Sequence, residues 1–287
     1  MPDENPILIY WRSELDVFNK NLTSLREKIN EEAIHDLRVA IKKLRSSFKL
    51  YSELIKKRHK KLPAGIDTLF SILGKHRNIE MNKKLLLSLG GKNAVFVNPI
   101  LVYLQLLQDQ AGEYSRPSIQ QFESGQLEVL TNQIETGFAN LNNEEVLSKA
   151  KEAVNSSLRK VEEDLKHFKE KSHLVRKQLK DIFYQSKMFH GKGLFTKSQL
   201  KILDTILDHL GSVQDHEVLI SNLKNFRKTI LSKTMKEYSM IKRIEERAKK
   251  KKDDLLEKAY QSTEELLAHY EKNDPEKSGI ETAETLT

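Results

Sequence analysis

The chain has 287 residues, enough to bury a substantial core in one large domain or two small ones. With no cysteine it has neither a disulfide framework nor a thiolate metal site, and 31% charged residues, 7% aromatics, 11 Gly and only 6 Pro suit an all-helical protein. The net charge of +8 is concentrated: residues 35–61 hold ten Lys/Arg against Asp36 and Glu53, so the rest of the chain sums to zero. "MPDENPILIYW" has no basic region ahead of its apolar run, and "ILVYLQLL" is too short to cross a bilayer, so the expectation is a soluble, cytoplasmic protein with no membrane contact.

Helical periodicity runs through nearly the whole chain, and strand-like alternation is almost absent. The first helix is expected over about 6–29 and the second from Asn30, an N-cap followed by Glu31 and Glu32, to about residue 60. Pro63, Gly65 and Asp67 mark the next boundary, and "GG" at 90–91 another. A helix after Pro99 is expected to end near 113, because Gly112, Pro117 and Gly125 make 112–125 the least regular interior segment. Helical patterns resume over 126–139, 144–170, 172–190 and 197–226, and a long charged helix follows over 228–270. Residues 271–287 lack apolar anchors and are expected to be a disordered tail.

On the second helix, His35, Arg38, Lys42, Arg45 and Lys49 recur at spacings of 3, 4, 3 and 4. At 100° per residue they share an arc of about 80°, with neighbours about 5–6 Å apart. Ile34, Leu37, Ala40, Ile41, Leu44, Phe48, Tyr51 and Ile55 form a separate apolar face, and Lys43 lies outside the stripe. A solvated face usually interleaves Glu with Lys at i, i+4, and this stripe has none. Groups of one sign that repel one another make sense if an anion offsets the cost.

The pattern then repeats. "HLVRKQLKDIFYQSK" at 173–187 restates "HDLRVAIKKLRSSFK" at 35–49: His173, Arg176, Lys180 and Lys187 align with His35, Arg38, Lys42 and Lys49, and Lys177 adds a nearby cation. Downstream, "LGKHRN" at 73–78 answers "LGSVQD" at 210–215. Unrelated solvated helices would not be expected to share this spacing.

These residues resemble the CHAD domain, the conserved-histidine α-helical domain, with its duplicated HxxR-x-x-basic helix and following Leu-Gly segment. The resemblance spans about residues 7–268. It implies an all-α fold of two pseudo-symmetric helical bundles from an internal duplication, forming one CHAD-like domain over 1–270 with a central basic groove. Repeat 1 would cover about 7–140 and repeat 2 about 144–268. It further implies that the groove binds inorganic polyphosphate and performs no catalysis. His35, Arg38, Lys42, Arg45 and Lys49 would form one wall, and His173, Arg176, Lys177, Lys180 and Lys187 the other. Lys43, Lys56, Lys57 and Arg77 are further candidate phosphate contacts. Two departures stand out: Phe183 replaces the cation equivalent to Arg45, and Asn78 stands where the family's first repeat usually has Asp, although Asp215 is present.

The chemistry suits a flexible polyanion without bases. Arg offers planar forks to phosphate oxygens, Lys supplies point charges, and both stripes begin near helix N-termini. His35 and His173 carry a residue type that charges near neutral pH, so binding is expected to strengthen in mild acid. Cofactors and metals are expected to be absent, since His59, His76, His190, His209 and His216 show no metal-ligand spacing and suit surface or capping roles. No nucleophile constellation or "ExExK" strand is visible. "HDLR" also looks like the phospho-accepting box of histidine-kinase helices, but Ala40 stands where Pro is usual and no Gly-rich ATP-binding segment follows. RNA is the main competing ligand, since a basic groove binds any phosphate backbone. Sequence-tolerant single-strand binders add aromatic platforms, and near the stripes only Tyr184 approaches one. The expected location is the cytoplasm, on polyphosphate granules. On the last helix, Ile241, Ile244, Leu255 and Leu256 are spaced for packing within the chain.

Overall fold

The computed structural model describes residues 4–56, 62–90, 97–139, 141–189 and 194–272. Among these, all regular structure is α-helical: α1 (Pro6–Glu27), α2 (Glu31–Leu54), α3 (Ala64–Gly90), α4 (Asn98–Gln120), α5 (Gly125–Phe138), α6 (Asn143–Leu165), α7 (Phe168–Met188), α8 (Lys197–Thr229) and α9 (Lys236–Lys272). No helix among the described residues is long and apolar enough to cross a membrane. Lys57, most of the "KKRHKK" run, His59, Gly91, His190 and residues 273–287 lie outside the described residues.

Local chemistry accounts for the helix starts. Asn5 accepts a hydrogen bond from the Ile7 N–H at 2.9 Å and places Pro6 in the first turn of α1, where its missing N–H costs nothing. Asn30 caps α2 by accepting from the Ala33 N–H at 2.8 Å, with Glu31 and Glu32 on the positive end of the dipole. The expected break at 112–125 is narrower than the sequence suggests: α4 does not end near 113 but runs through Gly112 and Pro117 to Gln120, and only 121–124 separate it from α5. Pro117 removes one helical donor, but Ser115 and Ile119 on either side of it are fully buried, and that packing outweighs a single missing bond. Other ends moved by a turn or two, as with α9, which starts at Lys236 rather than 228.

The chain gathers into two compact units, Met1–Ala150 with Asp215–Lys251, and Lys151–Gln214 with Lys252–Thr287. In the first, α1 packs along α2, α2 on α3, α3 on α4, and α1 also touches α4 and α5. Trp11 anchors this packing: it is fully buried and its indole N–H donates to Thr131 Oγ1 at 2.8 Å. The apolar face read on α2 is buried from Ile34 to Tyr51, with Ile55 half-buried. A second cluster joins Ile79, Leu86, Ile100 and Leu104 to Leu219, Leu223, Phe226, Ile241 and Ile244. Ile241 and Ile244 therefore pack within the chain as expected, whereas Leu255 and Leu256 are only half-buried. In the second unit, Phe168 meets Tyr260 edge-on at 5.5 Å and Phe195 lies 5.2 Å from Tyr270.

Gly137 is required by contact. A Cβ there would stand 2.7 Å from Tyr51 Cε2 and closer still to its hydroxyl. Tyr51 cannot retreat, because it is buried, donates to Gln133 O at 2.8 Å and meets Phe138 edge-on at 5.2 Å. Gly137→Ala is therefore expected to cost about 2 kcal/mol by overpacking, despite the better helix propensity of alanine, read as a lowered urea midpoint.

His76 and His216 are 4% and 3% exposed, so the surface or capping role expected for them is not what the fold gives. Their helix faces turn inward. His76 Nε2 meets Ser115 Oγ at 2.9 Å, tying α3 to α4. Burial holds the His76 imidazole below its ordinary range, partly opposed by a hydrogen bond to the Ala111 backbone. A histidine kept neutral in the fold contributes stability above its unfolded pKa, and this is lost as the unfolded chain takes up the proton. Urea midpoints of the wild type should thus fall more steeply than those of His76→Gln as pH drops through about 6.5 and below.

Candidate functional site

In the first unit, the cations of α2 converge on α3. The Arg38 guanidinium lies 4.0 Å from the Phe70 ring centroid, that of Arg45 4.3 Å, and Lys42 Nζ 5.8 Å. Arg38 also donates to the Phe70 carbonyl, and Arg45 to Asp67 Oδ1 at 2.5 Å. Phe70 and Asp67 stand on the first turns of α3, one or two turns before the Leu73-Gly74 pair. Neither stands out in the sequence as part of the site: Asp67 marks a helix boundary there, and the stripe shows no acids because local pattern reveals only partners on its own helix.

Gly74 explains why a glycine follows the HxxR helix at this distance. A Cβ on Gly74 would fall 2.8 Å from Arg38 Nη1, so its absence makes room for the guanidinium. A looser version of the approach stands in the second unit, where a Cβ on Gly211 would fall 3.4 Å from Arg176 Nη2, an ordinary van der Waals contact. Both arginines are half-buried. The Arg38 guanidinium is lowered to about 10, by burial first and then by the positive charges of Arg77 and Arg45. A negative ligand among these groups would relieve that repulsion.

The remaining α2 candidates separate. His35 is exposed and Lys49 half-buried. Lys43 turns to α1, where its Nζ lies 2.7 Å from Glu14 Oε1, an acid only 5% exposed. Arg77 forms a two-pronged ion pair with Asp215, its Nη2 donating to Oδ2 at 2.8 Å. Asp215 is 8% exposed, so this pair binds α3 to α8 inside the first unit. Lys56 is exposed just beyond α2, with a left-handed backbone at φ 51°.

On α7, His173, Lys177 and Lys187 are exposed and Lys180 is half-buried, a gradation close to that on α2. Phe183, at the position of Arg45, is buried and carries Lys187 Nζ 4.1 Å from its ring centroid. Lys180 Nζ lies 5.7 Å from the Tyr184 ring. The cation missing at 183 is replaced by a surface on which another cation rests. Among the described residues, no three His, Asp or Glu side chains gather as a metal site would require.

The pattern of the CHAD domain family matches residues 9–224. The chain belongs to the CHAD domain family. Its fold is similar to the crystal structure of the CHAD domain from the plant Ricinus communis, with a TM-score of 0.63, 17% identity and 90% of each chain covered. It is also similar to PptA from Streptomyces chartreusis, with a TM-score of 0.63 and 12% identity over 91% of this chain and 98% of that one. No curated protein matches the chain in sequence. The all-helical CHAD fold read from the duplicated HxxR pattern is the fold the chain has.

Proposed function

We propose that this CHAD domain binds inorganic polyphosphate through the cationic faces of α2 and α7, without chemistry on the ligand, and sits on polyphosphate granules in the cytoplasm. The observation that carries the reading is the cluster of Arg38, Lys42 and Arg45 around one ring, with Arg38 lowered by burial first and then by the neighbouring charges of Arg77 and Arg45. Like charges gathered at a partly solvated surface suit a polyanion, and forked Arg donors with point-charge Lys suit phosphate oxygens. The recurring guanidinium-over-glycine contact in each unit supports an internal duplication carrying one binding face per copy.

RNA remains the competing ligand, and the ring beside the first stripe bears on it. Phe70 would be the natural stacking platform for a base. Two guanidinium groups already lie against it at stacking distance, which leaves a phosphate ligand as the better fit. The test is a titration of long-chain polyphosphate against single-stranded RNA of matched charge, at two salt concentrations. Much tighter binding of polyphosphate supports the reading, and equal or tighter binding of RNA overturns it.

A further inference from the structure

We propose that Phe70 is a positioning residue of the polyanion site, its ring holding Arg38, Lys42 and Arg45 in one cluster that meets the ligand. The inference rests on the polyphosphate reading above and adds to it a residue without charge. Arg38 and Arg45 are seven residues apart on α2, about 10 Å along its axis, and both long side chains bend to the same ring. Left to themselves, two guanidinium groups this close would splay apart into water. An aromatic face carries negative quadrupole density that attracts cations within about 6 Å, so the ring offsets part of their mutual repulsion. The backbone reinforces the arrangement, since Arg38 also donates to the carbonyl of Phe70 itself. Holding the cations in place before the ligand arrives removes side-chain ordering from the cost of binding.

The second unit supports the same logic by a different route. There Lys187 rests on Phe183 of its own helix. Each cationic face thus has a ring beneath it, supplied by α3 in one case and by α7 in the other.

The experiment replaces Phe70 by pentafluorophenylalanine, which keeps the ring's shape and inverts its quadrupole, and separately by Leu and by Tyr. Polyphosphate binding is measured across a salt series, with thermal melting alongside. Both the fluorinated chain and Phe70→Leu should bind about tenfold more weakly, with a shallower salt dependence, while Phe70→Tyr restores binding. A fluorinated chain that binds like the wild type, with the same salt slope, overturns the inference and leaves the polyphosphate reading standing. A wild type that does not bind overturns both. Melting that falls in Phe70→Leu alone, with binding intact in the fluorinated chain, reduces Phe70 to a packing residue and also overturns the inference.

Discussion

A chain carrying Lys42→Gln, Lys49→Gln, Lys180→Gln and Lys187→Gln should bind polyphosphate about a hundredfold or more weakly at low salt, while melting close to the wild type. A lysine near a densely anionic surface contributes on the order of 1 kcal/mol, so four together reach between two and three decades. Counterion release adds a second signature: the slope of log K against log salt should become shallower by about three. Lysines are chosen because the arginines are built into the fold. Arg38 is packed over Gly74 and bonded to the Phe70 carbonyl, and Arg176 is packed over Gly211, so reversing their charge would perturb structure and binding together. Glutamine keeps most of each lysine stem and removes only the charge. Unchanged affinity in this variant would reduce both stripes to solvated faces.

Arg77→Met should act oppositely, with a large loss of stability and a far smaller loss of polyphosphate affinity than the fourfold lysine variant shows. It strands the carboxylate of Asp215, which is 8% exposed. Removing one partner of a buried pair costs about 3–5 kcal/mol, and the partial exposure of Arg77 places this case near the low end. Arg77→Met with Asp215→Leu should regain much of the loss, because no charge is then left in an apolar setting. Denaturant unfolding of the two single variants and the double variant measures the coupling directly. If Arg77→Met instead lowered affinity as much as the fourfold variant and left stability intact, Arg77 would be a phosphate contact rather than a link between α3 and α8.

The two predictions differ because α2 and α3 were not equally legible. The 3, 4, 3, 4 spacing of basic residues on α2 is a local pattern, and helix geometry alone converts it into a stripe. The apolar face beside it, the Asn30 cap and the all-helical class follow from the same periodicity. The HxxR duplication with its Leu-Gly segments pointed to the CHAD family, and the family pattern over 9–224 agrees. Pro117 marks the limit of local rules: it reads as a breaker, and only the burial of its neighbours keeps α4 continuous.

What surrounds the stripe depends on residues far away in the chain. Phe70 and Asp67 are 32 and 22 residues from the cations they meet, and Asp215 is 138 from Arg77. Nothing in the local pattern of α3 distinguishes Phe70 from any other apolar residue of an amphipathic helix. Local pattern gives most of the helices, the basic spacing on α2 and α7, and the HxxR resemblance that points to the family. Which cations share a ring, which are spent on ion pairs with buried acids, and which histidines are withdrawn from water depend instead on how distant helices pack. Periodicity acts within a few residues, whereas ion pairing and burial are set by whichever helix packs alongside.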